Sequence, residues 1–424
     1  MTPTIAPVRP ATSHYRWVIC ALLFFATVIA YIDRGVLSNL ETFLEKLFNF
    51  NTVEYSNMTS AFQAAYAIGL FCAGRVTDRL GTRKGFAYAI VLWSFAAMLP
   101  GAAYSVWSFG IAMFILGLGE AANFPACIKT VAEWFPKRER ALATGIFNSG
   151  ANIGNIITPV IVPALTFSLG WRLTFVVTGA TGFIWLMFWL WKYGKPEEHP
   201  GVSAEELALI QSDPVEKSTQ IPWSRLFPCR ETWAFAIAKF LTDPIWWFYL
   251  FWLPGYLQRT FNMGLEERRT PLVVVYAISC VGSVAGGWIS SKLLKSGRSL
   301  NVARKVTLLI CAVCVVPVLF APYTKNVWLV VGLVGLAAAA HQGWSANLFT
   351  FASDTFPKAA VGSVVGIGGM VGSIGGVLLQ KTAGYLVALT HSYVLLFLIS
   401  GLAYVTALLI LHLMSPRLAP AKLD

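Results

Sequence analysis

The sequence predicts an all-α membrane protein with twelve transmembrane helices in two six-helix bundles related by a pseudo-two-fold axis. Three observations carry this prediction: a sparsely charged composition, twelve apolar runs of about 20 residues, and an internal repeat between the two halves. Hydrophobic residues make up 56% of the 424 residues and charged residues only 12%. Because a soluble domain carries about a quarter charged residues, little of this chain can face water.

Each apolar run is long enough to cross a bilayer as a helix. Their approximate limits are 17–40, 55–75, 84–104, 106–133, 140–165, 171–192, 232–257, 270–291, 304–322, 326–352, 360–385 and 392–414. The longest polar interval divides them six and six. It contains Ser203 and Glu206 at the spacing of a capping box, which predicts a short amphipathic helix along the membrane surface. The expected units are an N-terminal bundle (1–192), a cytoplasmic linker (193–230) and a C-terminal bundle (231–424).

The basic residues behind the net charge of +12 fall in short loops between the apolar runs rather than in a stripe. This placement is typical of topology signals, so no nucleic-acid partner is expected. With both termini in the cytoplasm, the outer loops hold few basic residues: Lys46, Arg172, Arg259, Arg268, Arg269 and Lys325. The bias predicts a multi-pass protein of the cell inner membrane with both termini inside. The first run is too long for a signal-peptide core, so we expect an uncleaved span.

The two halves of the chain also repeat. WFPKRERALATGIFNSGANIGN at 134 resembles TFPKAAVGSVVGIGGMVGSIGG at 355, at a single offset of 221. A second echo pairs GRVTDRLGTRKG at 74 with GWISSKLLKSGR at 287. Parallel halves around an axis along the membrane normal are typical of two-bundle secondary transporters.

Several of these motifs resemble a known family. GRVTDRLGTRKG resembles the loop 2–3 signature of the major facilitator superfamily. YIDR in the first span, GLGEAANFP in the fourth and EWFPKRERALATG after it are similar to the anion:cation symporter family. KFLTDPIWWFYLFWLP and AHQGWSANLFTFASDTFP resemble its hexuronate transporter branch. The resemblance covers essentially the whole chain. It implies alternating-access symport of a small organic anion with protons, driven by the proton gradient without a cofactor.

Asp33 and Arg34 are an acid and a base inside the apolar first span. At 1.5 Å per residue they lie about 24 Å beyond Trp17, with two more helical turns to follow. A charged side chain inside a membrane is a functional hypothesis by default, and a structural salt bridge between helices is the alternative. The planar guanidinium suits a carboxylate. The resemblance implies that Arg34 binds the substrate carboxylate and that Asp33 takes part in proton coupling.

Glu120 lies about 21 Å into the fourth span, counted from Val106. Without a fixed cation nearby, a buried carboxyl can bind and release protons, so we predict a proton site; hydrogen-bonded packing is the alternative. Gly117 and Gly119 are expected to leave room around the carboxyl, and Pro125 to kink the helix. The resemblance implies the same proton role for Glu120.

The resembled family often has an arginine where Met113 stands, so the substrate needs another cation. Lys239 and Asp243 share one face of the seventh span. We predict that Lys239 contacts the substrate and that Asp243 takes part in proton coupling, while mutual neutralisation is the alternative. Further substrate-binding candidates, each with helix packing as its alternative, are Tyr31, Tyr66, Asn152, Trp247, His341, Gln342, Ser345 and Asn347.

Charged residues of the loop signature are gating candidates. Asp78 with Arg79 and Arg83 is expected to form an ionic latch between helix ends on the cytoplasmic side, unless these charges serve topology alone. Ser291 occupies the corresponding acidic position in the second half, so the latch is expected to be asymmetric.

The sequence therefore predicts a proton symporter, acting as a monomer, that imports a sugar acid such as the hexuronates galacturonate or glucuronate. The open alternatives are a transporter of another organic anion (aldonate, aldarate or aromatic acid), a drug exporter, and a non-transporting membrane sensor. No metal cluster or nucleophile motif is present in the sequence, so neither a bound metal nor an enzyme is expected.

Overall fold

A computed structural model describes residues 13–212, 223–419 and 421 of the chain. The described side chains exclude those of residues 71, 73–79, 137, 138, 141, 223, 358 and 359. In the described part every regular element is a helix. The helices are α1 (Tyr15–Phe48), α2 (Thr52–Met98), α3 (Val106–Glu120), α4 (Asn123–Trp134), α5 (Lys137–Leu169), α6 (Trp171–Lys192), α7 (Ala204–Ile210), α8 (Trp223–Leu226), α9 (Arg230–Phe261), α10 (Arg269–Lys295), α11 (Leu300–Val315), α12 (Val327–Thr355), α13 (Lys358–Thr390) and α14 (Val394–Met414).

Ten helical segments of the described residues are long and apolar enough to cross a membrane. They coincide with ten of the twelve predicted spans. The other two predicted spans, 55–75 and 232–257, fall within α2 and α9. Charged residues and many tryptophan and tyrosine side chains lower the mean hydropathy of α9, although it is 32 residues long. The chain is therefore a multi-pass membrane protein with a helix at every predicted span.

The second and third predicted spans join without a loop inside α2. Gly81, within the loop signature, turns the chain there with φ +76° and ψ +158°. Glycine adopts positive φ without steric penalty, so two helices can meet at this single residue.

Two glycines matched by the internal repeat make equivalent contacts in the two halves. A Cβ at Gly154 of α5 would lie 2.7 Å from the carbonyl oxygen of Val28 in α1. A Cβ at Gly375 of α13 would lie 2.5 Å from the carbonyl oxygen of Phe240 in α9. Small residues let helix backbones approach this closely, so α5 packs on α1 as α13 packs on α9. The halves repeat in their packing as well as in their sequence; the unit boundaries at 192 and 231 stay predictions.

The predicted helix of the linker is present as α7, but its acid acts on another helix. Ser203 caps α7 by accepting a hydrogen bond of 3.0 Å from the amide of Glu206. The carboxylate of Glu206 accepts from the backbone amides of Tyr15 (2.9 Å) and Arg16 (3.1 Å), and from the Arg16 guanidinium (2.9 Å). Because the first amides of a helix lack partners within it, Glu206 caps the start of α1 rather than completing its own capping box.

Candidate functional site

Arg34 and Glu120 form an ion pair between α1 and α3 in the middle of the first half. The Nη2 and Nε atoms of Arg34 donate to Oε2 of Glu120 at 2.7 and 3.0 Å. The two side chains are 3% and 0% exposed. The assumption that Glu120 lacks a fixed cation is therefore wrong. The interhelical salt bridge that was the alternative for Arg34 exists in this conformation.

Aromatic rings surround the guanidinium on several sides. Its Cζ lies 4.6 Å from the ring centre of Tyr31, 5.0 Å from Phe62, 5.1 Å from Tyr66 and 4.8 Å from Trp247. Such rings attract a cation through their faces and exclude water from the pair. Trp247 belongs to α9, so the second half contributes directly to this site. The structure brings these predicted residues together and adds Phe62, which was not predicted.

The helix of the fourth span is interrupted directly after Glu120, where α3 ends. The ring of Pro125 is incompatible with a helical bond to the carbonyl of Ala121, four residues earlier, which explains the predicted kink. The expected space around the carboxyl is absent. Cβ atoms at Gly117 and Gly119 would approach atoms of α2 to 2.3 and 2.8 Å. These glycines therefore let α2 pack tightly beside the carboxylate.

Asp33 is 3% exposed, and neither of its carboxylate oxygens has a hydrogen-bond partner among the described residues. Oε1 of Glu120 is likewise unpartnered in that part of the chain. A buried ionised group without a partner is costly. This is the environment in which a carboxyl group suits proton binding, although the role of Asp33 stays a prediction.

Lys239 and Asp243 pair with each other on α9, at 2.8 Å. Lys239 is thus not a free cation in this conformation, and mutual neutralisation describes the pair as it stands. The ammonium also lies 4.7 Å from the ring centre of Phe349 in α12. The Asp243 side chain remains 20% exposed, unlike the sealed carboxylate of Glu120.

The polar candidates of α12 serve two different purposes. His341 contacts the hydroxyl of Tyr404 at 2.6 Å through Nδ1. The amide of Asn347 donates to backbone carbonyls at 2.9 and 3.1 Å, so both residues fill packing roles here. Gln342 instead donates to Asn152 of α5 at 3.2 Å and joins the two halves.

The gating candidates are only partly within the described side chains. Asp78 and Arg79 lie outside them. Arg83 donates to the carbonyl of Leu190 at 2.5 Å, within its own half. The second half has its own ion pair, between Arg304 and Asp354 at 2.8 Å. The acid of this pair comes from the end of α12 rather than from position 291. The expected asymmetry of the latch stays a prediction, because Asp78 lies outside the described side chains.

A second charged network was not predicted. It lies where α1 and α9 end, which we call the distal end; the terminal end is where both helices begin. Arg259 of α9 donates to Glu41 and Glu45 of α1, at 2.7 Å each, and to the hydroxyl of Tyr393 at 3.0 Å. The available signal was the i, i+4 spacing of the two acids near the end of the first span. This network ties the two halves together at the distal end.

Comparison with known proteins identifies the family. The model of the Major Facilitator Superfamily matches residues 23–379. The chain belongs to the Major Facilitator Superfamily. Because this superfamily consists of transporters, membership confirms that the chain is not an enzyme, and it agrees with the twelve-helix fold in two bundles.

Curated relatives from the superfamily are similar over most of their length. The chain is 32% identical to the probable galactarate/D-glucarate transporter of Bacillus subtilis strain 168, covering 93% of this chain and 90% of the relative. It is 30% identical to the hexuronate transporter of Escherichia coli strain K12, covering 88% and 87%. These relatives are sugar acid transporters, which confirms the resemblance to the anion:cation symporter family.

Among solved structures, a bacterial homolog of the human lysosomal transporter Spinster, in an inward-facing and occupied conformation, matches with a TM-score of 0.76. The match covers 96% of this chain and 98% of that chain, at 17% identity. It supports the superfamily fold.

Proposed function

We propose that this superfamily member is a proton-coupled symporter that imports a sugar acid by alternating access. The substrate that the sequence predicts is a hexuronate such as galacturonate or glucuronate. The sugar acids carried by the relatives support this class of substrate. The proposed location is the inner membrane, with both termini in the cytoplasm.

The observation that carries the proposal is the sealed pair of Arg34 and Glu120. The edge of the Arg34 guanidinium that carries Nε and Nη2 donates to Glu120, and a substrate carboxylate bound in the same bidentate way needs this pair of donors. A substrate carboxylate and Glu120 therefore compete for the same nitrogen atoms. Protonation of Glu120 releases Arg34, so proton binding and substrate binding favour each other. By thermodynamic linkage this coupling is reciprocal.

The membrane potential determines how many protons are useful. An inside-negative potential opposes entry of a monovalent anion by about 2.3 kcal/mol per 100 mV. One proton makes the step electroneutral, and a second makes the potential a driving force. Glu120 and Asp33 are the two carboxyls proposed to carry these protons.

Transport of an aldarate is the second candidate, because the Bacillus relative is a probable galactarate/D-glucarate transporter. The test for both is uptake of a panel of labelled sugar acids into proteoliposomes, with and without an imposed pH gradient. We expect accumulation of at least one sugar acid that increases when the outside is made acidic. Uptake that does not depend on the pH gradient would refute proton coupling. A lack of uptake of any sugar acid would refute the substrate class.

A further inference from the structure

We infer that Lys239 is the site of a second substrate carboxylate, so that sugar diacids bind more tightly than the corresponding monoacids. This inference rests on the proposed function and specifies the substrate class of the same cavity. Arg34 would hold one carboxylate of the diacid and Lys239 the other.

Lys239 has unused capacity to bind an anion. An ammonium group has three donors, and among the described residues only Asp243 lies within ion-pair distance, at 2.8 Å. The Lys239 side chain is 8% exposed and that of Asp243 is 20% exposed. The pair is therefore mostly buried but borders space that water can reach.

Two glycines of α13 leave room for this pair. A Cβ at Gly368 would lie 3.1 Å from Cδ of Lys239, and a Cβ at Gly372 would lie 2.6 Å from Oδ2 of Asp243. A larger residue at position 372 would displace the Asp243 carboxylate, and one at position 368 would clash with the ring of Phe235 and crowd Lys239. The backbone of α13 thus approaches a charged pair directly.

The face of α9 connects Lys239 to the first site. Lys239, Asp243 and Trp247 are four residues apart and therefore lie on one face of the helix. The guanidinium of Arg34 lies 4.8 Å from the ring centre of Trp247. The eight residues from Lys239 to Trp247 correspond to about 12 Å along the helix axis.

A six-carbon diacid matches that separation. Its chain of ~1.5 Å bonds spans roughly 6 Å, and a charge-assisted hydrogen bond adds about 3 Å at each end. The total of about 12 Å is close to the rise along α9 from Lys239 to Trp247, the residue whose ring contacts the Arg34 guanidinium. A hexuronate has only one carboxylate and would leave Lys239 with Asp243.

The alternative is that Lys239 and Asp243 neutralise each other and do nothing else. A buried ion pair is weak evidence for stability, because apolar residues of similar volume often replace it without loss. Removing one member of a purely structural pair should weaken the binding of all substrates equally. Removing both members should then restore binding.

The experiment compares galactarate with galacturonate, which share their stereochemistry and differ in one terminal carboxylate. Dissociation constants are measured on the purified full-length chain in lipid nanodiscs for wild type, Lys239→Gln, Asp243→Asn and the double variant. Lys46→Gln, which removes an exposed lysine from the end of α1, is the matched control. Thermal unfolding of each variant confirms that it is folded.

We expect wild type to bind galactarate at least 10-fold more tightly than galacturonate. Lys239→Gln should weaken the binding of galactarate at least 10-fold, which is the range for losing a charged hydrogen bond. It should change the dissociation constant of galacturonate less than 3-fold. Asp243→Asn should strengthen galactarate binding, because Lys239 then has no competing partner. The Asp243→Asn variant also keeps the inference testable if Lys239→Gln does not fold. The control should change neither constant.

Equal losses for both ligands in Lys239→Gln, with recovery in the double variant, would overturn the inference in favour of a structural pair. Wild-type protein that binds galacturonate but prefers it to galactarate would refute the second site and leave the proposed function intact. Failure to bind either sugar acid would refute the second site and would remove galacturonate and galactarate from the proposed substrates.

Discussion

Neutralising Arg259 is expected to shift the transporter towards a state that is open at the distal end. Arg259 belongs to the second half, and its partners Glu41 and Glu45 belong to the first. Alternating access requires the halves to separate at this end once per cycle. These hydrogen bonds must therefore break each time the distal end opens.

The size of the shift follows from the contacts that are lost. A hydrogen bond to a charged group contributes about 1.5–3 kcal/mol. Arg259 is 22% exposed and Glu45 29% exposed, so solvent screening places both bonds at or below the low end of that range. Two bonds then amount to roughly 2–3 kcal/mol, or a 30- to 150-fold change in the ratio of open to closed states. Glu41 is 0% exposed, so losing its cation penalises the closed state further.

The assay is labelling of a reporter cysteine at Thr42, in a chain lacking its seven native cysteines. Thr42 is 3% exposed and hydrogen-bonded to Gln258 across the halves. We expect Arg259→Gln to increase the rate of maleimide labelling in nanodiscs by at least 10-fold. The control is Arg172→Gln, which removes an exposed distal arginine that lies over Trp171. An unchanged rate in Arg259→Gln, or an equal increase in the control, would refute the reasoning.

Three further predictions concern the other charged groups. Arg34→Lys keeps the charge but loses the planar fork, so substrate affinity measured by titration should fall by roughly 1–3 kcal/mol; unchanged binding in Arg34→Ala would make the residue structural. Glu120→Gln should retain counterflow and lose accumulation driven by a pH gradient, and a variant that still concentrates substrate would remove Glu120 from coupling. Burial raises the pKa of Glu206, but hydrogen bonds from Ser13 and from the start of α1 outweigh it and lower the pKa below the ordinary 4.5. The stability that Glu206 contributes is thus complete above pH 4.5 and lost as the pH falls through the lowered pKa. The melting temperature of Glu206→Gln should therefore lie below that of wild type at neutral pH and converge with it in acid; a constant difference would contradict this.

The positions of the spans could be predicted because length and apolar composition are local properties of the sequence. The same holds for the depth of Arg34, which follows from the helical rise. The partner of Arg34 could not be predicted in this way. Whether Glu120 faces α1 depends on the rotation of α3, and close packing of Gly117 and Gly119 on α2 sets that rotation. Contacts between helices that are distant in sequence are a tertiary property.

Some missed features did leave a signal in the sequence. The offset of 221 that relates the two halves also pairs Glu133 with Asp354. Glu133 accepts from Thr82 at 2.6 Å, and Asp354 pairs with Arg304 at 2.8 Å. Extending the repeat by one residue towards the N-terminus of each matched segment would have shown an acid at the same place in both halves. Comparison of the loop signatures alone led to Ser291 instead.

The bonds that join the two halves differ in strength along the bundle, and this difference bears on the resting state. At the distal end they include the charge-assisted bonds of Arg259, worth roughly 2–3 kcal/mol together, and the bond between Thr42 and Gln258. On the terminal side of Arg34 the described bond is a neutral one, from Gln342 to Asn152, worth about 1 kcal/mol. Among the described residues, opening the terminal end therefore breaks weaker bonds than opening the distal end. On these bonds alone, the empty transporter should rest with the distal end closed. A substrate can reverse this preference only by binding the distally open state more tightly by a larger amount. The cation of Arg34, in contact with Trp247 of the opposite half, is where such a difference in affinity can arise.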